Sequence, residues 1–167
     1  MAAGNTYTPI ATQTLASAAY TVTFSSIPST YTDLVLVINA TTTANSKNPV
    51  FRFNSDTGTN YSDIYITGSG TAASSGRDIS VNAIYAGVVG ISGGNESTIV
   101  CTLQNYANTT TYKTALIRTS STFSSVYQTV GSWRSTAAIN SIDILTLSSG
   151  QNWSIGSVFS LYGIAAA

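Results

Sequence analysis

The chain has 167 residues, of which 43% are hydrophobic and only 7% charged, with six Lys and Arg against six Asp and Glu and a formal net charge of zero. This length suits one domain with a core large enough to need no disulfide or metal staple. The charge balance leaves nothing to neutralise a phosphate backbone, so nucleic acid is disfavoured as a partner. No basic amphipathic stretch or ~20-residue apolar run marks a membrane protein.

The dominant period is two. Residues 1–18 lack a clean period and read either as an extended arm that adds a strand to a neighbour or as a first edge strand of the same domain. The domain proper is expected over 19–167. Tyr20, Val22 and Phe24 alternate with Thr21, Thr23 and Ser25, the pattern of a strand with one apolar and one hydroxyl face. Pro28 ends it. Leu34–Ile38 is a short β-branched run that suits a strand covered on both sides. Strands are expected next over Val50–Asn54 and Tyr61–Thr67. Between them Asn54–Asn60 reads as a hairpin turn, because Asn, Asp and Gly tolerate positive φ.

Gly68–Gly76 is rich in small residues and is expected to be a loop. Val81–Ile91 is ambiguous between a short helix and a kinked strand, with Gly87 and Gly90 favouring the strand. Thr98–Asn105, Lys113–Thr119, Ser124–Arg134, Ile139–Leu147 and Ser157–Ile164 complete the set of strands. Gly163 suggests a bulge or a close backbone approach. No segment carries a helical stripe and no repeat is present. Many short strands joined by Gly, Ser and Asn turns indicate an all-β fold, an antiparallel sandwich or barrel.

The chemistry-bearing residues are few. The chain contains no His, which excludes Ser–His and Cys–His nucleophile pairs. Cys101 is alone and reads as a small buried hydrophobe. Paired carboxylates are the remaining route to catalysis, and Asp56 and Asp63, flanking one turn, are the candidate pair. Asn54, Asp56, Gly58 and Asn60 loosely resemble a calcium loop, but the bidentate Glu and a second internal acid are missing; an Asx-capped turn accounts for the pattern. No catalytic residue, metal or cofactor is therefore expected. The aromatic and cationic residues Tyr61, Arg77, Trp133, Arg134 and Trp153 are the candidates for contact with a partner protein or a glycan.

Several blocks together resemble small structural proteins of tailed phages, notably phages of cyanobacteria and other aquatic bacteria. They include Tyr7–Thr12 with Ser25–Pro28 and Tyr31–Leu34, then Phe51–Ser62. They continue with Gln104–Thr110 and Tyr112–Thr114, Gly131–Ile139 and Gly156–Ile164. The likeness spans nearly the whole chain. It implies a jelly-roll-like β-sandwich on the virion surface, of the kind described as decoration, cement or fibre protein. By analogy, with no shaft or coiled coil in the sequence, the expectation is a homotrimeric capsid decoration protein that bridges capsomers and contacts itself and the major capsid protein. A tail-fibre module recognising host surface polysaccharide is the alternative.

Overall fold

The computed structural model describes residues 6–44, 48–89, 96–121, 125–147 and 151–165. Its strands are β1 (Tyr7–Thr14), β2 (Thr21–Phe24), β3 (Asp33–Ala40), β4 (Pro49–Phe53), β5 (Tyr61–Gly68) and β6 (Ala73–Val81), followed by β7 (Ile84–Tyr85), β8 (Ser97–Gln104), β9 (Lys113–Ser121), β10 (Ser125–Trp133), β11 (Ile142–Thr146) and β12 (Val158–Ile164). They form an eight-stranded sheet in the order β1-β12-β3-β8-β9-β10-β5-β6 and a four-stranded sheet in the order β2-β11-β4-β7. Every neighbouring pair is antiparallel. The fold is the antiparallel all-β sandwich that the alternation predicts, without a helix among the described residues.

The chain alternates between sheets: β1, β3, β5, β6, β8, β10 and β12 lie in the large sheet, and each is next in sequence to a strand of the small one. Only β5-β6 and β8-β9-β10 run as local hairpins. This crossing commits both sheets to one core, since neither can bury its apolar face alone. The small sheet contributes Val22, Phe24, Phe51, Phe53, Ile84, Ile142 and Ile144. From the large sheet Leu34, Leu36, Ile38, Ile99, Cys101, Leu103, Ile117, Phe159 and Leu161 meet them, all buried in one cluster. Burial pushes the Cys101 thiol up to about 12, so it is an inert core residue.

Two glycines are fixed by the close approaches of the layers. A Cβ on Gly131 would overlap the buried side chain of Ile84, and one on Gly163 would overlap the ring of Tyr31. β10 needs bare backbone there because Ile84 of the opposing sheet fills the space, and β12 because Tyr31 of the β2–β3 connection does.

The structure decides two open alternatives, the N-terminal segment and Val81–Ile91, and changes two sequence expectations, the Gly68–Gly76 loop and the Asn54–Asn60 hairpin. β1 pairs along its length with β12, so residues 7–14 are an edge strand of this domain, not an arm reaching a neighbour. Residues 73–76 of the expected loop belong to β6, which pairs with β5. Asn54–Asn60 is no hairpin, because β4 lies in the small sheet and β5 in the large one; it is an arch between layers. In Val81–Ile91, of which 90 and 91 lie outside the described residues, there is no helix. Ile84–Tyr85 pairs with β4, and the backbone then bends at Gly87, whose φ is +95°.

Candidate functional site

Three places carry the polar and exposed features that the core does not explain. The first is the arch from β4 to β5. Asp56 Oδ1 accepts from the Gly58 amide at 2.8 Å, and Oδ2 accepts from Asn60 Nδ2 at 2.9 Å and Trp133 Nε1 at 2.7 Å. The Trp133 hydrogen bond, with those of Asn60 and Gly58, holds the Asp56 carboxyl below its ordinary value against a partial opposing effect of burial. Asn54 Oδ1 accepts from the Asn140 and Ser141 amides while its Nδ2 donates to Ala138 O. The side-chain oxygens of Asn54 and Asp56 in the calcium-like pattern thus fix the arch. The turn is Asx-capped, as its composition suggested, but it joins layers.

Three of the five candidate contact residues are buried out of reach of a partner, two of them beside this arch. Tyr61 and Trp133 are buried and stack at 6.2 Å with 16° between planes. The Tyr61 hydroxyl accepts from Phe53 N at 3.0 Å, and burial raises it to about 12. Trp153 is also buried, with Nε1 donating to Ile144 O at 3.3 Å and its ring edge-on to Phe159 at 5.3 Å. Its backbone bridges Ala19 and Thr42, so it plugs one end of the sandwich. These rings are large enough that burying them outweighs any surface role. Arg134 is half-buried and works locally: Nη2 donates to Thr59 O at 2.6 Å and Nη1 to Ser62 Oγ, and the guanidinium also reaches Ser80 Oγ at 3.4 Å. Ser80, with φ of +56°, is the extra residue of the bulge in β6, and Arg134 braces it. Of the five, only Arg77 is free of such duties, exposed on β6 opposite Ile64.

The second place is the outer face of the large sheet. Ile64 and Ile66 of β5, Ile79 of β6, and Val126 and Val130 of β10 are 54%, 62%, 59%, 58% and 42% exposed, and all five point away from the core. Register makes them neighbours: Ile64 faces Val130, which faces Leu116, while Ile66 leads through Gln128 and Arg118 to Val100 and Val37. A trough of about 920 Å³ runs over this face, floored by Ile66, Val100, Val126, Gln128 and Arg118. On the outward positions of β5, β6, β8, β9 and β10 the charges are Arg77 and Arg118, and no carboxylate accompanies them. Scattered exposed apolar residues are normal, but a contiguous set on adjacent strands marks an interaction surface.

The third place is the open edge where β6 overhangs β7. Asp63 and Asp78 are directly opposite in the β5–β6 ladder, and Asp63 is 4% exposed. Its Oδ2 accepts from the Tyr85 amide at 3.0 Å, while Oδ1 is buried without a hydrogen-bond partner. Burial pushes the Asp63 carboxyl up to about 6; the Tyr85 amide pulls it partly back and the Asp78 charge pushes it further. Tyr65, Tyr85 and Tyr127 gather beside it, with ring centroids 5.0 to 6.2 Å apart. Asp63 therefore pairs with Asp78, not with Asp56, whose oxygens serve the arch. The separation of fifteen positions hid this pair from a reading based on sequence proximity.

In comparisons with protein-family models, curated proteins and solved structures, nothing matches the chain.

Proposed function

We propose that this chain is a capsid decoration protein of a tailed phage, a jelly-roll-like structural subunit that works by burying the outer face of its large sheet against a neighbouring copy on the virion head. The contiguous apolar face of β10, β5 and β6 carries the reading. Burying the exposed parts of its five large aliphatic side chains is worth roughly 1 kcal/mol each, on the order of 5 kcal/mol per face. That gain is modest against the cost of association, so it suits a subunit whose contacts repeat around a shell. Arg77 and Arg118 supply directed hydrogen bonds to carbonyl or carboxylate groups of the neighbouring copy, while the major capsid protein is met through other surfaces.

The mechanism is mechanical. Subunits that bridge capsomers add interface of ordinary size, about 1,600 Å² per contact, at each seam and raise the work of separating them. The low charge keeps this adhesion insensitive to salt, because little of it is screened. A non-enzymatic role fits the carboxylates: Asp56 receives three donors within the arch, and Asp63 is only 4% exposed.

Quantifying the chain against the major capsid protein in purified particles tests the proposal. Decoration requires a copy number close to that of the capsid protomers. A handful of copies per particle would instead support the tail-fibre reading and its polysaccharide ligand.

A further inference from the structure

The carboxylates at the β5–β6 edge pose a problem that the fold leaves open. A carboxylate oxygen that is buried and receives no donor is costly, and a like charge directly across the ladder adds to the cost. Asp63 has both disadvantages. The charge felt by Asp63 is that of Asp78, and no cation among the described residues offsets it; Arg52 points its Nε at the Asn82 carbonyl, 3.0 Å away. Around the pair lies a depression of about 370 Å³ whose walls include Asp63, Asp78, Tyr65, Tyr85 and Asn82. It is open to solvent on the side of Asp78, which is exposed.

We propose that this depression is a cation site, in which the carboxylates of Asp63 and Asp78 bind a hard divalent ion of the calcium class, with the Asn82 side-chain amide and water completing the shell. The donor set argues for the ion type. The walls offer oxygen and neither imidazole nor thiolate, which disfavours zinc and copper. Calcium accepts the irregular, flexible geometry that two strands and a turn provide, whereas magnesium demands a near-ideal octahedron. Two carboxylates balance the ion's charge, and the unpartnered Oδ1 gains its missing contact.

The ion would fasten an otherwise weakly held element. β6 is an edge strand paired only with β5, and most of its side chains are exposed. A bridge from Asp78 to the buried Asp63 ties β6 to the body of the sandwich. It thereby orders Arg77 and Ile79, the neighbours of Asp78 on the opposite face. The site does not depend on what the outer face binds, and the two ideas fail separately.

Terbium provides a probe, because tyrosine excited near it sensitises its emission and Tyr65 and Tyr85 flank the pocket. The full chain should show saturable terbium emission that calcium displaces, with affinity in the range of about 10⁻⁴ to 10⁻³ M typical of extracellular calcium modules. Asp78→Asn, on an exposed edge strand, should remain folded by circular dichroism and weaken terbium binding at least tenfold. Asp143→Asn, beside the β4–β5 arch, should leave it unchanged. Calcium should raise the melting temperature of the wild type and not of Asp78→Asn. Absence of calcium-displaceable emission, or emission that survives Asp78→Asn, overturns the inference.

Discussion

Replacing Asp63 by Asn isolates the cost of a carboxylate held under the small sheet. The substitution keeps an oxygen to accept from the Tyr85 amide and removes the charge. The added amide nitrogen has an acceptor opposite in Asp78. In the folded chain burial raises the Asp63 carboxyl from 3.8 to about 6. Between those values the folded state holds a proton that the unfolded state has released. Stability attached to this group is therefore fully present below pH ~4 and lost as pH rises through about 6. The difference corresponds to on the order of 3 kcal/mol, an upper bound because the edge of the pocket is wet. Urea titrations from pH 4 to 8, with chelator to remove divalent ions, should show wild-type stability falling across this window. Asp63→Asn should be flat there and more stable than the wild type by about 1–3 kcal/mol at pH 7.5. A variant less stable than the wild type at pH 7.5, or one that keeps the same slope, would mean that the buried charge of Asp63 carries no such cost.

Two further predictions concern the layers. Trp133→Phe keeps an aromatic ring against Tyr61 and Phe53 but deletes the donor to Asp56, and should cost about 1–3 kcal/mol at pH 7 in denaturant melts. Because the folded Asp56 carboxyl lies below its ordinary value of 3.8, its stabilisation is present above that value and lost as pH falls through the folded one; the variant should show a smaller loss between pH 4 and 2. Gly131→Ala drives a methyl into Ile84 and should destabilise by about 1–3 kcal/mol; paired with Ile84→Ala, whose own loss leaves a cavity, the two effects should fall short of additive when measured by urea unfolding.

The parts of the fold legible in the sequence were those where one face is buried and the other wet. β2 and β8 alternate cleanly because their Val22 and Phe24, or Ile99, Cys101 and Leu103, fill the core between hydroxyl residues. β6 escaped because it has almost nothing to bury: its inward Gly76 lies under the ring of Tyr65, and its other side chains are mostly exposed. A strand without a core face has no apolar period to read. The Asn54–Asn60 segment shows a different limit. Its Asx chemistry is local and readable, whereas membership of β4 and β5 in different sheets is decided by distant partners, β11 and β10.

The candidate sites divide in the same way. Ile64 and Ile66 alternate with Tyr65, so both faces of β5 look equally apolar in sequence and the exposed one could not be told from the buried one. Aromatic size suggested Tyr61, Trp133 and Trp153 as contact residues, but the same size recruits them to the core. The Asp63–Asp78 pair depends on ladder register, which a bulge at Ser80 shifts by one residue. Arg77, placed outward by that register, is the candidate that keeps an interface role in this account.

The most direct test is a side-chain-resolution density map of an intact particle carrying this chain. Ile64, Ile66, Val126 and Val130 should lie under a neighbouring subunit, with Arg77 or Arg118 bonded across the seam. A map in which that face looks out on solvent, with every contact made through β2 and β11 instead, would contradict that arrangement.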